Sequence, residues 1–399
     1  MRWLLAIGVV VLIAVGAGGV NYLRPIPAVE AAASLPASDL VPGTPPTVPW
    51  PAKGSAAIAV DNLGFIATSG NEQSIPAASV TKVMTALVIL EDKPLKKGES
   101  GPTITLTNAD VQIYQAAVAN KESVVPVQAG EQLTEFQALE GLLLPSGNNL
   151  AVSLARWDAG SVDAFVVKMN VRASKLNLKN TKFSDVAGVS PSSVSTPTDL
   201  VTLGIEAMKT QEVFEQIVAM GQAELPVAGT VYNVDAVLGQ NGIIGIKTGS
   251  GLDSGANFLF AARVQVDGFP VVIYGCVMGQ PTLAMAFDRA KALIATVQPA
   301  LHVRRVLARN QSVGTYTTPW GAQSDVLSTF DVDVAEWPGM VVRQNLDAKW
   351  LIVDKPLPSS TKVGTQHISL GDYKLDIPVV TASPLYPPGR FWRLTRVRA

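Results

Sequence analysis

A continuous apolar stretch opens the chain, from Trp3 to Tyr22, interrupted only by small residues and one asparagine. About eighteen such residues suffice to cross a bilayer, and a secretory signal begins with the same pattern. The triplet Ala31-Ala32-Ala33 resembles a signal-cleavage site, but Arg24 and several prolines separate it from the apolar core. We therefore predict an N-terminal anchor over residues 1–24, with a cleaved signal and secretion as the alternative. Both interpretations place the remainder on the extracytoplasmic side of a membrane.

Proline recurs every few residues from Pro25 to Pro51, with little aliphatic periodicity. This composition is typical of an extended, semi-rigid spacer, and we assign it to residues 25–53.

Residues 54–298 alternate between short apolar runs typical of strands and apolar spacing typical of helices. A helix is predicted to begin at Ser79, and a capping box of Thr134 with Gln137 predicts another through Leu144. The other predicted helices are Leu150–Trp157, Ala164–Leu176, one capped at Thr196, and Leu283–Val297, and the predicted strands are Ala56–Val60, Phe65–Thr68, Ile243–Lys247, Asn257–Val266 and Val271–Met278. This order predicts an α+β domain in which helices flank an antiparallel sheet, with an additional all-helical part.

From residue 299 to 399 the pattern changes to short alternating runs, which indicate a small all-β domain. Its predicted strands include Asp331–Val334, Trp350–Val353 and Leu375–Val380.

Composition excludes several kinds of chemistry. The formal net charge is -1, without a long run of one sign, so nothing indicates a nucleic-acid partner. The chain has only two histidines, His302 and His367, both near its C-terminal end, which argues against a histidine triad or a histidine zinc site. The single cysteine, Cys276, falls in an apolar run typical of a buried strand. We predict neither a metal nor a cofactor.

Three short strings carry the candidate chemistry: Ser79-Val80-Thr81-Lys82, Ser146-Gly147-Asn148 and Lys247-Thr248-Gly249. They supply a nucleophile, two lysines, a bridging hydroxyl and an amide, which together suit serine acyl transfer without histidine. On a helix, positions 79 and 82 lie one turn apart on the same face. The second string is predicted on an interhelical loop, and the third on a strand that begins a hairpin.

Spacing alone is not specific, because Ser359-Ser360-Thr361-Lys362 repeats the first pattern. That copy lies between Pro358 and Gly364, where a helix of useful length cannot begin. The local context of all three strings therefore carries the prediction.

With these contexts, the sequence resembles the penicillin-interacting serine enzymes. It is most similar to the low-molecular-mass penicillin-binding proteins that act as serine-type D-alanyl-D-alanine carboxypeptidases. The resemblance runs through Pro76–Ala86, Leu143–Asn148, Phe165–Asn170, Ser195–Leu200 and Gly245–Gly249, and continues at Val363-Gly364 and Ile377–Val380. It implies a β-lactamase or transpeptidase-like catalytic domain followed by a small all-β domain.

The resemblance also implies a bacterial cell-wall substrate, a peptidoglycan stem peptide ending in D-alanyl-D-alanine, and β-lactams as covalent inhibitors. Ser79 would be the nucleophile, Lys82 the base and Ser146 a proton relay. The substrate-binding residues implied are Asn148, Lys247, Thr248, Gly249 and Ser250, with the oxyanion hole at the backbone N–H groups of Ser79 and Ser250.

Three other functions stay open: a D,D-endopeptidase acting on cross-links, a class A β-lactamase, and a catalytically weak wall-binding protein. Class A β-lactamases need a glutamate downstream of the second string to activate the deacylating water. No glutamate occurs here from Asn149 to Ile205. Family members usually have aspartate at position 149 and an aromatic or histidine, then threonine, at Ser250-Gly251. An arginine found in some members between two asparagines is missing from Asn233-Val234-Asp235. These departures concern the pocket expected to recognise a free terminal carboxylate, and they keep the endopeptidase alternative open.

Overall fold

The computed structural model describes residues 2–70 and 73–396. Its helices are α1 (Arg2–Leu23), α2 (Lys82–Asp92), α3 (Asn108–Ala119), α4 (Glu135–Leu143), α5 (Asn148–Ala159), α6 (Val162–Lys175), α7 (Pro197–Thr210), α8 (Glu212–Val218), α9 (Leu283–Val297) and α10 (Arg390–Thr395). Its strands are β1 (Ala31–Ala33), β2 (Ser38–Leu40), β3 (Ser55–Val60), β4 (Gly64–Thr68), β5 (Ile75–Pro76), β6 (Thr103–Thr105), β7 (Gln132–Thr134), β8 (Val194–Ser195), β9 (Gln222–Leu225), β10 (Gly229–Tyr232), β11 (Ile243–Gly251), β12 (Gly255–Val266), β13 (Phe269–Gln280), β14 (His302–Leu307), β15 (Ser312–Thr317), β16 (Gln323–Ser328), β17 (Val332–Glu336), β18 (Val341–Ala348), β19 (Lys362–Leu370) and β20 (Tyr373–Thr381).

These elements form two compact units. One unit is Thr44–His302, and the other combines Met1–Gly43 with Val303–Ala399.

The first unit contains a five-stranded antiparallel sheet in the order β11-β12-β13-β3-β4. Helices cover both of its faces. Successive side chains of β12 point to opposite faces of the sheet, and neighbouring residues there contact different helices. Phe258 stacks edge-on against Phe287 of α9, with ring centroids 4.9 Å apart, whereas Leu259 lies against Gly204 of α7. Strand β11 is left at the edge, where the third motif lies.

The all-helical part of this unit surrounds α2. Every residue of α2 from Lys82 to Leu90 is buried, as expected for a helix that is apolar on all sides except for a few polar positions. The helix is entered through a 3₁₀ turn, Ala78–Thr81, so Ser79 lies in this turn and does not cap the helix as predicted. The predicted capping box at Thr134 is confirmed, and so are Pro197 at the start of α7 and the bounds of α9.

The second unit is built on a seven-stranded antiparallel sheet in the order β1-β15-β16-β20-β19-β18-β2. Its two outer strands, β1 and β2, come from the segment for which we predicted an extended spacer. That prediction is wrong for these residues, because prolines on either side of short strands do not prevent pairing at a sheet edge.

A second prediction is wrong in this unit. Trp350–Val353 does not form a strand: Leu351 makes only an isolated bridge to Val29, and the side chains of Trp350 and Ile352 are exposed. Exposed apolar residues in a loop here imitate the alternation of a strand. Asp331–Val334 and Leu375–Val380 do lie largely within strands, β17 and β20.

Helix α1 is long and apolar enough to cross a membrane. The window Ala6–Leu23 has a mean hydropathy of 2.0 and is not buried. The short helix α10 packs against its C-terminal end, where the Arg396 guanidinium donates hydrogen bonds to the backbone oxygens of Asn21 and Arg24, at 2.8 and 2.6 Å.

Candidate active site

The turn that carries Ser79 is fixed by the sheet beside it. Asn257, fully buried on β12, donates hydrogen bonds to the backbone oxygens of Pro76 and Ala77, at 3.0 and 3.1 Å. Gly249 of β11 lies so close that a side chain there would meet the Ala77 oxygen at 2.9 Å and the Ser79 nitrogen at 3.0 Å. The glycine of the third motif therefore lets the edge strand approach the serine, which itself remains partly exposed.

Lys82 is the first residue of α2 and follows the serine by one turn. Its Nζ is 2.7 Å from Ser79 Oγ, 3.3 Å from Ser146 Oγ, 2.6 Å from Asn148 Oδ1 and 3.1 Å from the Ala187 backbone oxygen. Lys82 is fully buried. The structure thus brings the first two motifs together around one amine, as their local contexts predicted.

Ser146 and Asn148 are presented by the connection between α4 and α5. Ser146 has a φ of +64°, a backbone conformation that residues other than glycine rarely adopt, so the surrounding packing must hold it there. At Gly147 a side chain would meet the Gly141 oxygen at 2.7 Å, which explains the glycine at the centre of this motif. Asn148 is the first residue of α5, and only Ser146-Gly147 lies on the loop.

Lys247 is the second buried lysine, only 2 % exposed. Among the described residues, its Nζ donates one hydrogen bond, to the backbone oxygen of the neighbouring Thr248 at 3.2 Å. Thr248 is also buried, whereas Ser250 is exposed at the end of the same strand. The third motif therefore offers an ammonium group with little local compensation.

The protonation of both lysines is altered by their surroundings. Burial, and then the nearby Lys247, lower the pKa of Lys82 well below its ordinary value, although Asp185 and Glu122 oppose this. Burial lowers the pKa of Lys247 to about 7, with Asp235 opposing. A lowered pKa favours the neutral amine of Lys82, which is the form that can accept a proton.

Sequence reasoning missed the loop that covers Lys82. Asp185 accepts hydrogen bonds from the backbone N–H groups of Ala187 and Gly188, at 3.0 and 2.5 Å, and of Ser190. This turn aims the Ala187 oxygen at Lys82, and Thr85 reinforces it by donating to the Val186 oxygen at 2.7 Å. No sequence motif indicates these residues, because their role depends on contacts between distant parts of the chain.

The unusual Asn149 has a clear structural role. Its amide nitrogen donates to the Val125 backbone oxygen, and its amide oxygen accepts from the Val125 N–H, both at 2.9 Å. A carboxylate could only accept, so asparagine satisfies both backbone groups where the usual aspartate could not. Position 149 therefore secures a neighbouring loop and leaves Lys82 untouched.

Metal ligands are not grouped in the described part of the chain, where no set of three or more histidine, cysteine, aspartate or glutamate side chains could hold an ion. What the site does contain is a partly exposed serine beside a buried amine of lowered pKa, with a second hydroxyl and an amide on the same amine. The fold and this arrangement define an active-serine acyl-transfer enzyme.

Comparison with known proteins gives the family. The pattern of the S11 peptidases, described as D-alanyl-D-alanine carboxypeptidase, matches residues 46–282, and the chain belongs to this family of serine peptidases. A D-alanyl-D-alanine carboxypeptidase of Streptomyces sp. (strain K15) is 32% identical over 252 residues, covering 59% of this chain and 84% of that protein. The carboxypeptidase DacD of Escherichia coli (strain K12) is 28% identical over 347 residues, covering 83% and 86%.

A solved structure extends the likeness to both units. Penicillin binding protein 5 from Haemophilus influenzae superposes with a TM-score of 0.64 at 19% identity, covering 86% of this chain and 100% of that one. The resemblance drawn from the motifs, the α+β fold class and the assignment as a serine peptidase are confirmed.

Proposed function

We propose that the protein removes the terminal D-alanine from peptidoglycan stem peptides through an acyl-enzyme on Ser79. The observation that carries this is the 2.7 Å separation of Ser79 Oγ from Lys82 Nζ, with Lys82 fully buried. Family membership supplies the substrate class. The hydrogen bonds around Lys82 support the roles proposed for the residues.

The hydrogen-bond partners of Lys82 support proton transfer from Ser79 to Lys82. A neutral lysine amine has two N–H donors and one lone pair. Asn148 Oδ1 and the Ala187 oxygen can only accept, so they take both donors. The lone pair is then left for a hydroxyl, and Ser79 Oγ at 2.7 Å is nearer to Nζ than Ser146 Oγ at 3.3 Å, so Ser79 is placed to give its proton to a general base.

The reaction then proceeds in two balanced steps. Ser79 Oγ bonds to the carbonyl carbon between the two D-alanines while its proton moves to Lys82. The carbon–nitrogen bond breaks, and the departing D-alanine amine receives that proton from Lys82 through Ser146, whose Oγ is 3.3 Å from Nζ. Water attacks the resulting ester, and the shortened peptide leaves with its new carboxylate as Ser79 recovers its proton.

Charge stabilisation involves Ser79 together with the edge strand that carries the third motif. We assign the oxyanion hole to the backbone N–H groups of Ser79 and Ser250, each donor contributing about 3 to 4 kcal/mol to the transition state. Lys247 and Thr248 face the terminal carboxylate of the substrate, beside Gly249, which admits the strand. Asn148 holds the substrate amide in addition to the lysine. β-Lactams acylate the same serine.

The enzyme acts outside the cytoplasm, held at the cell membrane by α1. The length and hydropathy of α1 support this anchor. Cleavage after Ala33 would remove β1, which pairs with β15 at the edge of the seven-stranded sheet. Retaining the segment is therefore favoured over cleavage. Sequencing the mature N-terminus tests this, and a start near Ser34 would contradict it.

Mass spectrometry after penicillin treatment tests the proposed site. We expect a single covalent adduct on Ser79, absent from Ser79→Ala and slow to leave, because no glutamate occurs from Asn149 to Ile205. Incubation with a pentapeptide stem should release D-alanine faster than incubation with a cross-linked dimer. Faster cleavage of the dimer would indicate an endopeptidase. Rapid loss of the penicillin adduct would indicate a β-lactamase. Inactivity on both peptide substrates would indicate a wall-binding protein.

A further inference from the structure

A chain of two hydrogen bonds leads from Lys82 to a carboxylate outside the three motifs. Asn148 Oδ1 lies 2.6 Å from Lys82 Nζ, and Asn148 Nδ2 donates to Glu122 Oε2 at 2.8 Å. Glu122 lies in the loop between α3 and β7. Its other oxygen accepts a longer hydrogen bond, 3.3 Å, from Asn120.

The carboxylate fixes which end of the Asn148 amide faces the lysine. An ionised carboxylate only accepts hydrogen bonds, so it selects the amide nitrogen of Asn148 as its partner. The amide oxygen is then left to face Lys82. Without Glu122, nothing in this pair of contacts would prevent the amide from turning over.

The orientation matters because of the lysine lone pair. With the amide oxygen towards Lys82, one lysine N–H is satisfied and the lone pair remains directed at Ser79. A reversed amide would instead donate its N–H to that lone pair, and a base whose lone pair is occupied cannot accept the serine proton.

We propose that Glu122 is a positioning residue of the acyl-transfer site, which keeps the Asn148 amide oriented so that Lys82 can accept the proton of Ser79. The proposal rests on the function proposed above for Ser79 and Lys82. Glu122 acts through Asn148 and has no direct contact with Ser79 among the hydrogen bonds of the described residues.

The loop of Glu122 is attached firmly to the second motif. The backbone N–H of Asn148 donates to the Ser123 oxygen at 2.8 Å, one residue beyond Glu122. Two further hydrogen bonds join Asn149 to Val125 in the same loop. Because these contacts do not use the Glu122 side chain, the loop has supports that survive its replacement.

Glu122 also has an electrostatic effect on the base. The charged groups acting on Lys82 are Lys247, which lowers its pKa, and Asp185 and Glu122, which raise it. Removal of the Glu122 charge therefore lowers the pKa of Lys82. Since Lys82 acts as a base when deprotonated, the acid limb of the acylation profile then moves to lower pH.

Two replacements separate positioning from charge. In Glu122→Gln the side-chain oxygen can still accept from Asn148, so we expect acylation by labelled penicillin within about threefold of the unaltered enzyme at its optimum, with the acid limb at lower pH. In Glu122→Ala the amide is released as well as the charge removed, and we expect the acylation rate at the pH optimum to fall about tenfold to a hundredfold, with the acid limb again at lower pH. Asn120→Ala is the matched control, and should leave both rate and profile unchanged.

Thermal unfolding of each full-length variant accompanies the kinetics. Acylation of Glu122→Ala within twofold of the unaltered enzyme would overturn the proposal. So would equal losses in both variants with an unmoved acid limb and equally lowered melting temperatures, which would make Glu122 a support of the loop only. An adduct that persists in Ser79→Ala would instead refute the proposed function, so the two failures are distinguishable.

Discussion

The two sides of the catalytic cleft each bury a lysine, but they treat it differently. On the helical side, Lys82 has four polar atoms within hydrogen-bond distance. On the sheet side, Lys247 donates a hydrogen bond to the backbone oxygen of Thr248. Burial lowers the pKa of both. The same desolvation therefore serves two purposes, depending on which groups surround the amine.

A buried amine surrounded by fixed acceptors has a defined lone pair and suits proton transfer. A buried amine with few partners has an uncompensated charge when protonated, and suits binding of an anion. From this difference we propose proton transfer for Lys82 and carboxylate recognition for Lys247. Four measurements test this division.

The largest effect is expected from loss of the base. Lys82→Ala should reduce the rate of acylation by penicillin by about a thousandfold, within the range usual for general base catalysis. Stopped-flow or gel measurement with a labelled penicillin checks this. The control is Lys362→Ala, which alters the exposed lysine of the second S-x-x-K copy and should change nothing. If Lys82→Ala reacted at the normal rate, Lys82 would not be the general base.

The next effect concerns the anion. Lys247→Ala should reduce acylation efficiency about tenfold to a hundredfold for ligands with a free carboxylate, as for a lost hydrogen bond between charged groups. With a penicillin methyl ester, the difference between the variant and the unaltered enzyme should largely disappear. An equal loss with acid and ester would assign Lys247 to the chemical step and contradict the division.

The pH dependence should be bell-shaped for ligands with a carboxylate. On the acid side efficiency rises with pH, because Lys82 must lose its proton to act as a base. On the alkaline side it falls as pH passes the pKa of Lys247, about 7, because the neutral amine no longer attracts an anion. Rates measured from pH 5 to 10 check both limbs. An alkaline limb that persists with the ester would be inconsistent with this origin.

The smallest effect is expected at Asp235, which raises the pKa of Lys247 through its charge. Asp235→Asn should therefore move the alkaline limb to lower pH and leave the acid limb in place. Its backbone contact, from the Val237 N–H at 3.1 Å, can be kept by the amide oxygen. A shift of the acid limb instead would connect Asp235 with the helical side.

What the sequence could predict depended on the range of the contacts. Ser79 and Lys82 lie one turn apart, so local spacing sufficed, and the hairpin of the third motif was equally local. Asn257 and Glu122 could not be predicted, because their partners lie far along the chain and no short pattern records such a contact. The loop at Trp350 was mistaken for a strand because apolar alternation does not reveal which residues find a partner.

The strands β1 and β2 have a consequence for how the chain can fold. They cover the two edges of a sheet whose other strands come from beyond residue 303. Unpaired edges of this kind invite pairing between molecules. The second unit therefore needs residues from both ends of the chain, and its sheet can be completed only after the last strand has been synthesised. A protein shortened at its N-terminus to residue 44 would leave both edges open and should aggregate, even with an intact catalytic unit.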